Sequence, residues 1–150
     1  MKIILGSKSK QRREIMEEMG LVFDVMAADI DEKTIRYNNP KELVLAVANA
    51  KANYLKSKIT EPAILITADT VAVWNGVLRE KPKNAIEVRE FLKGYNILPT
   101  KTVSGVVVTN TETGKQATGV DLATVYFIPF SDEQIEQIIA DGQVFNFAGA

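Results

Sequence analysis

The chain has 150 residues, 46% of them hydrophobic and 25% charged, with 18 basic against 19 acidic residues and a net charge of −1. Such a composition excludes a disordered or fibrous chain and fits a single domain, which at this length buries about 68 to 70% of the surface its unfolded form exposes. Cysteine and histidine are both absent, which excludes disulfides, thiolate nucleophiles, Cys/His zinc sites and a Ser-His-Asp triad, so any chemistry runs on carboxylates, Lys, Arg, hydroxyls or an oxygen-bound metal.

Lys2-Ile3-Ile4-Leu5-Gly6 reads as a buried strand. It is far too short for a secretory core of about 7 to 15 apolar residues or a membrane helix of about 20, so a cytoplasmic address without a membrane partner is expected. Ser7 to Ser9 form a turn into a helix that carries Ile15, Met16 and Met19 on one face and stops at Gly20. Leu21 to Met26 read as a second strand, and Ala27 to Asn39 as a polar connection containing Asp29, Asp31 and Glu32. Asn39-Pro40 starts a helix with a cap and a proline at its first position, and Leu43, Val44, Val47 and Leu55 make its apolar stripe. Beyond Pro62, Ala63 to Ala68 is a nearly continuous apolar run of the kind buried inside a sheet, ending on Asp69-Thr70. Val71 to Trp74 continue extended, and Asn75-Gly76 is a hairpin signal leading into Val77-Leu78. A helix begins at Asn84, with Glu87 placed as in a capping box, buries Val88, Phe91 and Leu92, and ends at Lys93-Gly94. Lys101 to Ile128 predict two antiparallel strands joined by a turn at Asn110 to Gly114. Ser131 and Gln134 cap a last helix through Ile135, Ile138 and Ile139, stopped by Gly142. Alternation of this kind predicts an α/β domain with a mixed twisted sheet and flanking helices.

Three places carry chemistry. Where the first strand enters its helix, Ser7, Ser9, Arg12 and Arg13 offer hydroxyls, cations and the positive end of a helix dipole, which suit a phosphate or carboxylate. The competing reading is that Ser9 only caps the helix. Asp69 closes a buried strand, where open α/β sheets place their ligands and where burial makes a carboxylate a better base; it could equally just end the strand by bonding its own backbone. Lys51 among alanines, Lys81 before Pro82 and Glu32 in an acidic loop each read singly as solvated side chains. Together with Asp69 they outline a site for magnesium and a polyphosphate. The balanced charge gives no reason to expect a nucleic acid polymer as partner.

The segment Gly6-Ser7-Lys8-Ser9-Lys10-Gln11-Arg12 resembles the Ser-x-Ser-x-x-Arg opening of the Maf family of nucleoside triphosphate pyrophosphatases. Ala28-Asp29-Ile30-Asp31-Glu32, Ala50-Lys51-Ala52, Ala68-Asp69-Thr70-Val71, Glu80-Lys81-Pro82, Ser104-Gly105-Val106, Ser131 to Ile135 and Ala148-Gly149-Ala150 resemble further motifs of that family in the same order. The resemblance implies the fold of inosine triphosphate pyrophosphatases, with two lobes around a nucleotide cleft, and metal-dependent hydrolysis between the α- and β-phosphates of a nucleoside triphosphate. It implies that Ser7, Ser9, Arg12, Arg13 and Thr70 hold the substrate, that Glu32 and Asp69 are the acidic pair at a Mg2+ or Mn2+ site, with Asp69 as general base on the attacking water or as a metal ligand, and that Lys51 and Lys81 stabilise charge on the phosphates. A homodimer is compatible with it. Lys10 and Gln11 depart from the family's usual residues and leave the uridine and thymidine branch and the cytidine and modified-guanosine branch both open, and the family's base-contacting segment is expected beyond Ala150. A nucleotide-binding regulator of cell division with little hydrolysis is the alternative function.

Overall fold

The computed structural model describes residues 1–150 and contains the anticipated α/β order. Its residues group into two compact units, Met1–Asp69 with Ser104–Val120, and Thr70–Val103 with Asp121–Ala150.

In the first unit, β1 (Lys2–Leu5) runs parallel to both β2 (Asp24–Val25) and β3 (Ala63–Trp74), with Leu5 level with Val25 and Ile66. β5 (Thr100–Asn110) and β6 (Gln116–Val125) extend the sheet in the order β2-β1-β3-β5-β6. Helix α2 (Pro40–Lys56) covers it, started by the Asn39 side chain, which accepts from the Lys41 N–H at 3.0 Å. Ala48, Ala52 and Leu55 of α2 pack with Ile4, Leu65 and Val107 of the strands as this unit's core. Two expectations change. Helix α1 (Lys10–Glu18) buries Met16 alone, and Ile15 and Met19 are 55% and 67% exposed; Ile15 points about 100° away from Met16 around the helix, and Met19 is the cap residue beyond its end. The second strand shrinks from six residues to the two that pair with β1.

The largest difference concerns Asp69, which lies inside β3 rather than at its end. The strand stays extended because it exchanges partners: its first half pairs with β1 as far as Ile66, and from Ala72 it pairs antiparallel with β4 (Val77–Arg79) around the Asn75-Gly76 turn. Asp69 occupies the stretch between those two pairings, beyond the carboxyl end of β1, so the ligand-binding logic of a strand end survives without the strand ending.

The second unit takes β3 from Thr70 onward, β4, β5 up to Val103, β6 from Asp121 and the two remaining helices. Helix α3 (Ala85–Tyr95) is capped by Asn84, which accepts from the Glu87 N–H at 3.0 Å, while the Glu87 carboxylate reaches one residue past the cap to the Lys83 N–H at 2.7 Å. The helix continues through Gly94, which was expected to end it. A Cβ there would lie 3.0 Å from the Trp74 ring and 3.1 Å from the Arg79 guanidinium, so this glycine serves close packing rather than termination. Helix α4 (Asp132–Asp141) opens with the Ser131–Gln134 capping box and stops at Gly142 as anticipated. Val88, Leu92, Tyr95, Ile135 and Val144 form a separate core.

Candidate active site

The turn after β1 is organised by its own side chains. The Ser7 hydroxyl accepts from the Ser9 N–H and from the Arg12 guanidinium, both at 3.2 Å, and Ser9 caps α1 by accepting from the Arg12 N–H at 3.4 Å. The Ser9 cap forms, and it is also what fixes Ser7 and Arg12 beside the positive end of the helix. Arg13 stays exposed on α1, with its N–H bonded to the Ser9 carbonyl at 3.2 Å.

Lys51 is the centre of the site. It lies on the stripe of α2 that includes Val47, Ala48, Ala52 and Leu55, so the helix carries its stem into the core. Only 8% of the residue is exposed. Its ammonium reaches Glu32 at 3.0 Å, Asp69 at 3.2 Å and the Ala68 carbonyl at 3.3 Å, which uses all three of its donors. Glu32 opens a short 3-10 turn, Glu32–Thr34, that Asp31 fixes by accepting from the Lys33 N–H at 3.2 Å. β3 is held against α2 by the buried Thr67 hydroxyl, which donates to the Ala48 carbonyl at 2.8 Å. Sequence reading missed Thr67, although one hydroxyl in an apolar strand two residues before Asp69 was a signal.

The electrostatics follow from burial. Desolvation raises the Asp69 carboxyl above the ordinary aspartate range and Glu32 adds repulsion, against the pull of Lys51 and Arg12. Burial lowers the Arg12 guanidinium from its usual value, opposed by attraction to Asp69 and Glu32. Arg12, Asp69 and Glu32 therefore feel one another, and with Lys51 the four make a nearly neutral set of two cations and two carboxylates. A lysine holding two carboxylates in place keeps their free oxygens available for a proton or a cation.

No cluster of three or more carboxylates is present. Glu32 and Asp69 are the residues that could hold a metal, and two carboxylates suit Mg2+ or Mn2+, which complete their shells with water and phosphate oxygens, better than they suit a cation that needs an all-protein cage. The structure thus joins Ser7, Ser9, Arg12, Glu32, Lys51 and Asp69 into one neighbourhood of the first unit. Thr70 is exposed on β3 next to Asp69. Lys81 is exposed between Glu80 and the buried Pro82 in the second unit.

Residues 2–150 match the family model described as Maf-like protein. The chain is 44% identical over 154 residues to a 7-methyl-GTP pyrophosphatase of Dictyostelium discoideum, covering 98% of this chain and 78% of that protein. It is 34% identical over 149 residues to a dTTP/UTP pyrophosphatase of Alkaliphilus metalliredigens, covering 99% and 77%. Among solved structures, a HAM1 protein from Coxiella burnetii superposes with a TM-score of 0.52 at 13% identity, covering 97% of this chain and 95% of that one, which is a likeness of fold.

Proposed function

The chain belongs to the Maf-like family, and from that premise we propose that it hydrolyses nucleoside triphosphates between the α- and β-phosphates, releasing a nucleoside monophosphate and pyrophosphate. The observation that carries the reading is the Lys51 ammonium held between Glu32 and Asp69 at 3.0 and 3.2 Å, with Arg12 in electrostatic reach of both carboxylates. Phosphoryl transfer asks the protein for positioning and charge stabilisation more than for covalent chemistry, and this neighbourhood offers both without His or Cys.

In this mechanism Ser7 and Arg12 seat the polyphosphate at the start of α1, with Ser9 fixing the turn. Asp69, raised by burial, takes the proton of the attacking water as the water oxygen bonds to phosphorus and the bridging α–β P–O bond breaks. Lys51 holds Asp69 in place and offsets charge that grows on the phosphoryl oxygens, and Lys81 is assigned the same task by its match to the family motif. A bound Mg2+ or Mn2+ supplies further neutralisation of the phosphates, with Glu32 and Asp69 as the residues that would hold it. Arg13 and Thr70 belong to the substrate side of this reading, Arg13 as an exposed cation beside the turn and Thr70 as the neighbour of Asp69.

No helix is long and apolar enough to cross a membrane, and we place the protein in the cytoplasm, where nucleoside triphosphates are made and spent. The test is product analysis on a panel headed by 7-methyl-GTP, because identity is higher to the enzyme of that name, followed by dTTP, UTP and CTP, each with Mg2+, Mn2+ or EDTA. Monophosphate and pyrophosphate in equal amounts, lost with EDTA, are expected. Diphosphate and orthophosphate would overturn the cleavage site, undiminished release in EDTA would overturn the metal, and tight binding without turnover would favour a regulatory role.

A further inference from the structure

The second unit contains a buried cation that the reaction above does not use. Arg79, the last residue of β4, is 7% exposed. A guanidinium withdrawn from water ordinarily faces a carboxylate. Here it lies over the rings of Trp74, Phe91 and Tyr95, at 4.2, 4.3 and 5.1 Å from their centroids, and donates to the Phe91 carbonyl at 3.1 Å. A flat, weakly hydrated guanidinium stacks between aromatic faces in this way more readily than a compact, strongly hydrated ammonium.

The residues after Arg79 explain why such a cage would sit at this point. Glu80 and Lys81 are exposed and Pro82 is buried again. The Glu80 carbonyl accepts from the Gly149 N–H at 3.1 Å, the Gly149 carbonyl accepts from the Tyr95 hydroxyl, and the Lys83 N–H is held by Glu87 at 2.7 Å. Gly149 has φ of +83°, and a Cβ on it would lie 2.6 Å from that of Ala72 and 2.9 Å from the Tyr95 oxygen, so the chain closes onto the cage where only glycine fits. Lys81 is therefore an exposed side chain on a backbone tied on both sides.

We propose that the Arg79 cage, closed through Tyr95 and Gly149, is a positioning device that fixes the backbone of Glu80-Lys81-Pro82 so that the Lys81 ammonium is presented to the substrate's phosphates. The proposal rests on the reading above that Lys81 serves the pyrophosphatase reaction. Arg79 and Tyr95 act through Lys81 and are positioning residues. Because preorganisation matters for a charge that must be in place when substrate arrives, loosening the backbone raises KM and lowers kcat/KM.

The test is a double-mutant cycle. Tyr95→Phe keeps the ring beneath Arg79 and removes only the hydroxyl that holds Gly149; Arg79→Lys keeps the charge and removes the flat face. Each is made alone and on Lys81→Ala, and pyrophosphate release from 7-methyl-GTP and dTTP with Mg2+ is measured beside thermal melting of every variant. On the wild-type background, either substitution is expected to raise KM by roughly five- to ten-fold. On Lys81→Ala the same substitution is expected to change KM by less than about two-fold. An equal factor on both backgrounds, or no change on the wild-type background, overturns the proposal and leaves the cage a structural brace. Should Arg79→Lys not fold, Tyr95→Phe decides alone. Wild-type protein without pyrophosphate release, or Lys81→Ala with unaltered kinetics, overturns the underlying reading and this proposal with it, and those two arms separate that failure from a failure of the cage alone.

Discussion

Lys51 and Arg79 are the buried cations of the two units, 8% and 7% exposed, yet apart from one backbone carbonyl each their surroundings differ. Lys51 is met by two carboxylates and a carbonyl, Arg79 by three ring faces and a carbonyl. An ammonium is a strongly hydrated point charge and needs formal negative charge to leave water, while a guanidinium can be desolvated against aromatic faces. The difference separates chemistry from scaffolding. The carboxylates that hold Lys51 retain lone pairs for a proton, a cation or a water, and the rings around Arg79 offer nothing reactive.

Substitution distinguishes the two arrangements. Lys51→Met strands the partly buried Asp69 without its counter-ion and should cost about 3 kcal/mol in urea unfolding at neutral pH. Arg79→Met keeps an apolar stem among the rings and leaves no charge unpaired, so the expected loss is smaller, about 1 to 2 kcal/mol from the ring contacts and one hydrogen bond. The reverse order would break the comparison. A finer effect lies in pH. Burial raises the Asp69 carboxyl, so the folded state holds that proton more tightly than the unfolded chain; the stability it contributes is full below the unfolded pKa and lost as pH rises through the folded one. Asn cannot ionise, so Asp69→Asn should gain stability relative to wild type as pH climbs from the ordinary aspartate range towards neutrality, and a constant difference across that window would contradict the assignment. The smallest effect is expected from Arg89→Ala, which removes an exposed two-pronged pair with Glu136 at 2.6 and 2.8 Å. Its melting shift should be slight and vanish in high salt.

Local chemistry made much of the fold legible: the Asn39-Pro40 start, the Asn75-Gly76 turn and the Ser131–Gln134 box all form where expected. Features that depend on distant neighbours were not legible. Gly94 reads as a helix stop until Trp74 and Arg79 are seen against it, and Asp69 reads as a strand end until β4 is seen to pair with the far half of β3. Glu32 and Lys51 each read singly as solvated residues and Asp69 as a strand end with a ligand-binding alternative; only taken together do their types outline a site, which the ordered motifs then sharpen. Their meeting at 3.0 to 3.2 Å is a tertiary fact. Arg79 carried no signal at all, since a cation before Glu80-Lys81 looks like part of a solvated charged turn.

The central claim, that Asp69 held by Lys51 is the reacting carboxylate, is tested most directly by the rate of pyrophosphate release by wild type and Asp69→Asn at saturating nucleotide across the acid range. The account predicts that Asp69→Asn still binds nucleotide but turns over about 10² to 10⁴-fold more slowly, and that the wild-type rate falls on acidification as the Asp69 carboxylate takes up a proton. Turnover by Asp69→Asn within a few-fold of wild type, with the same acid limb, would contradict it.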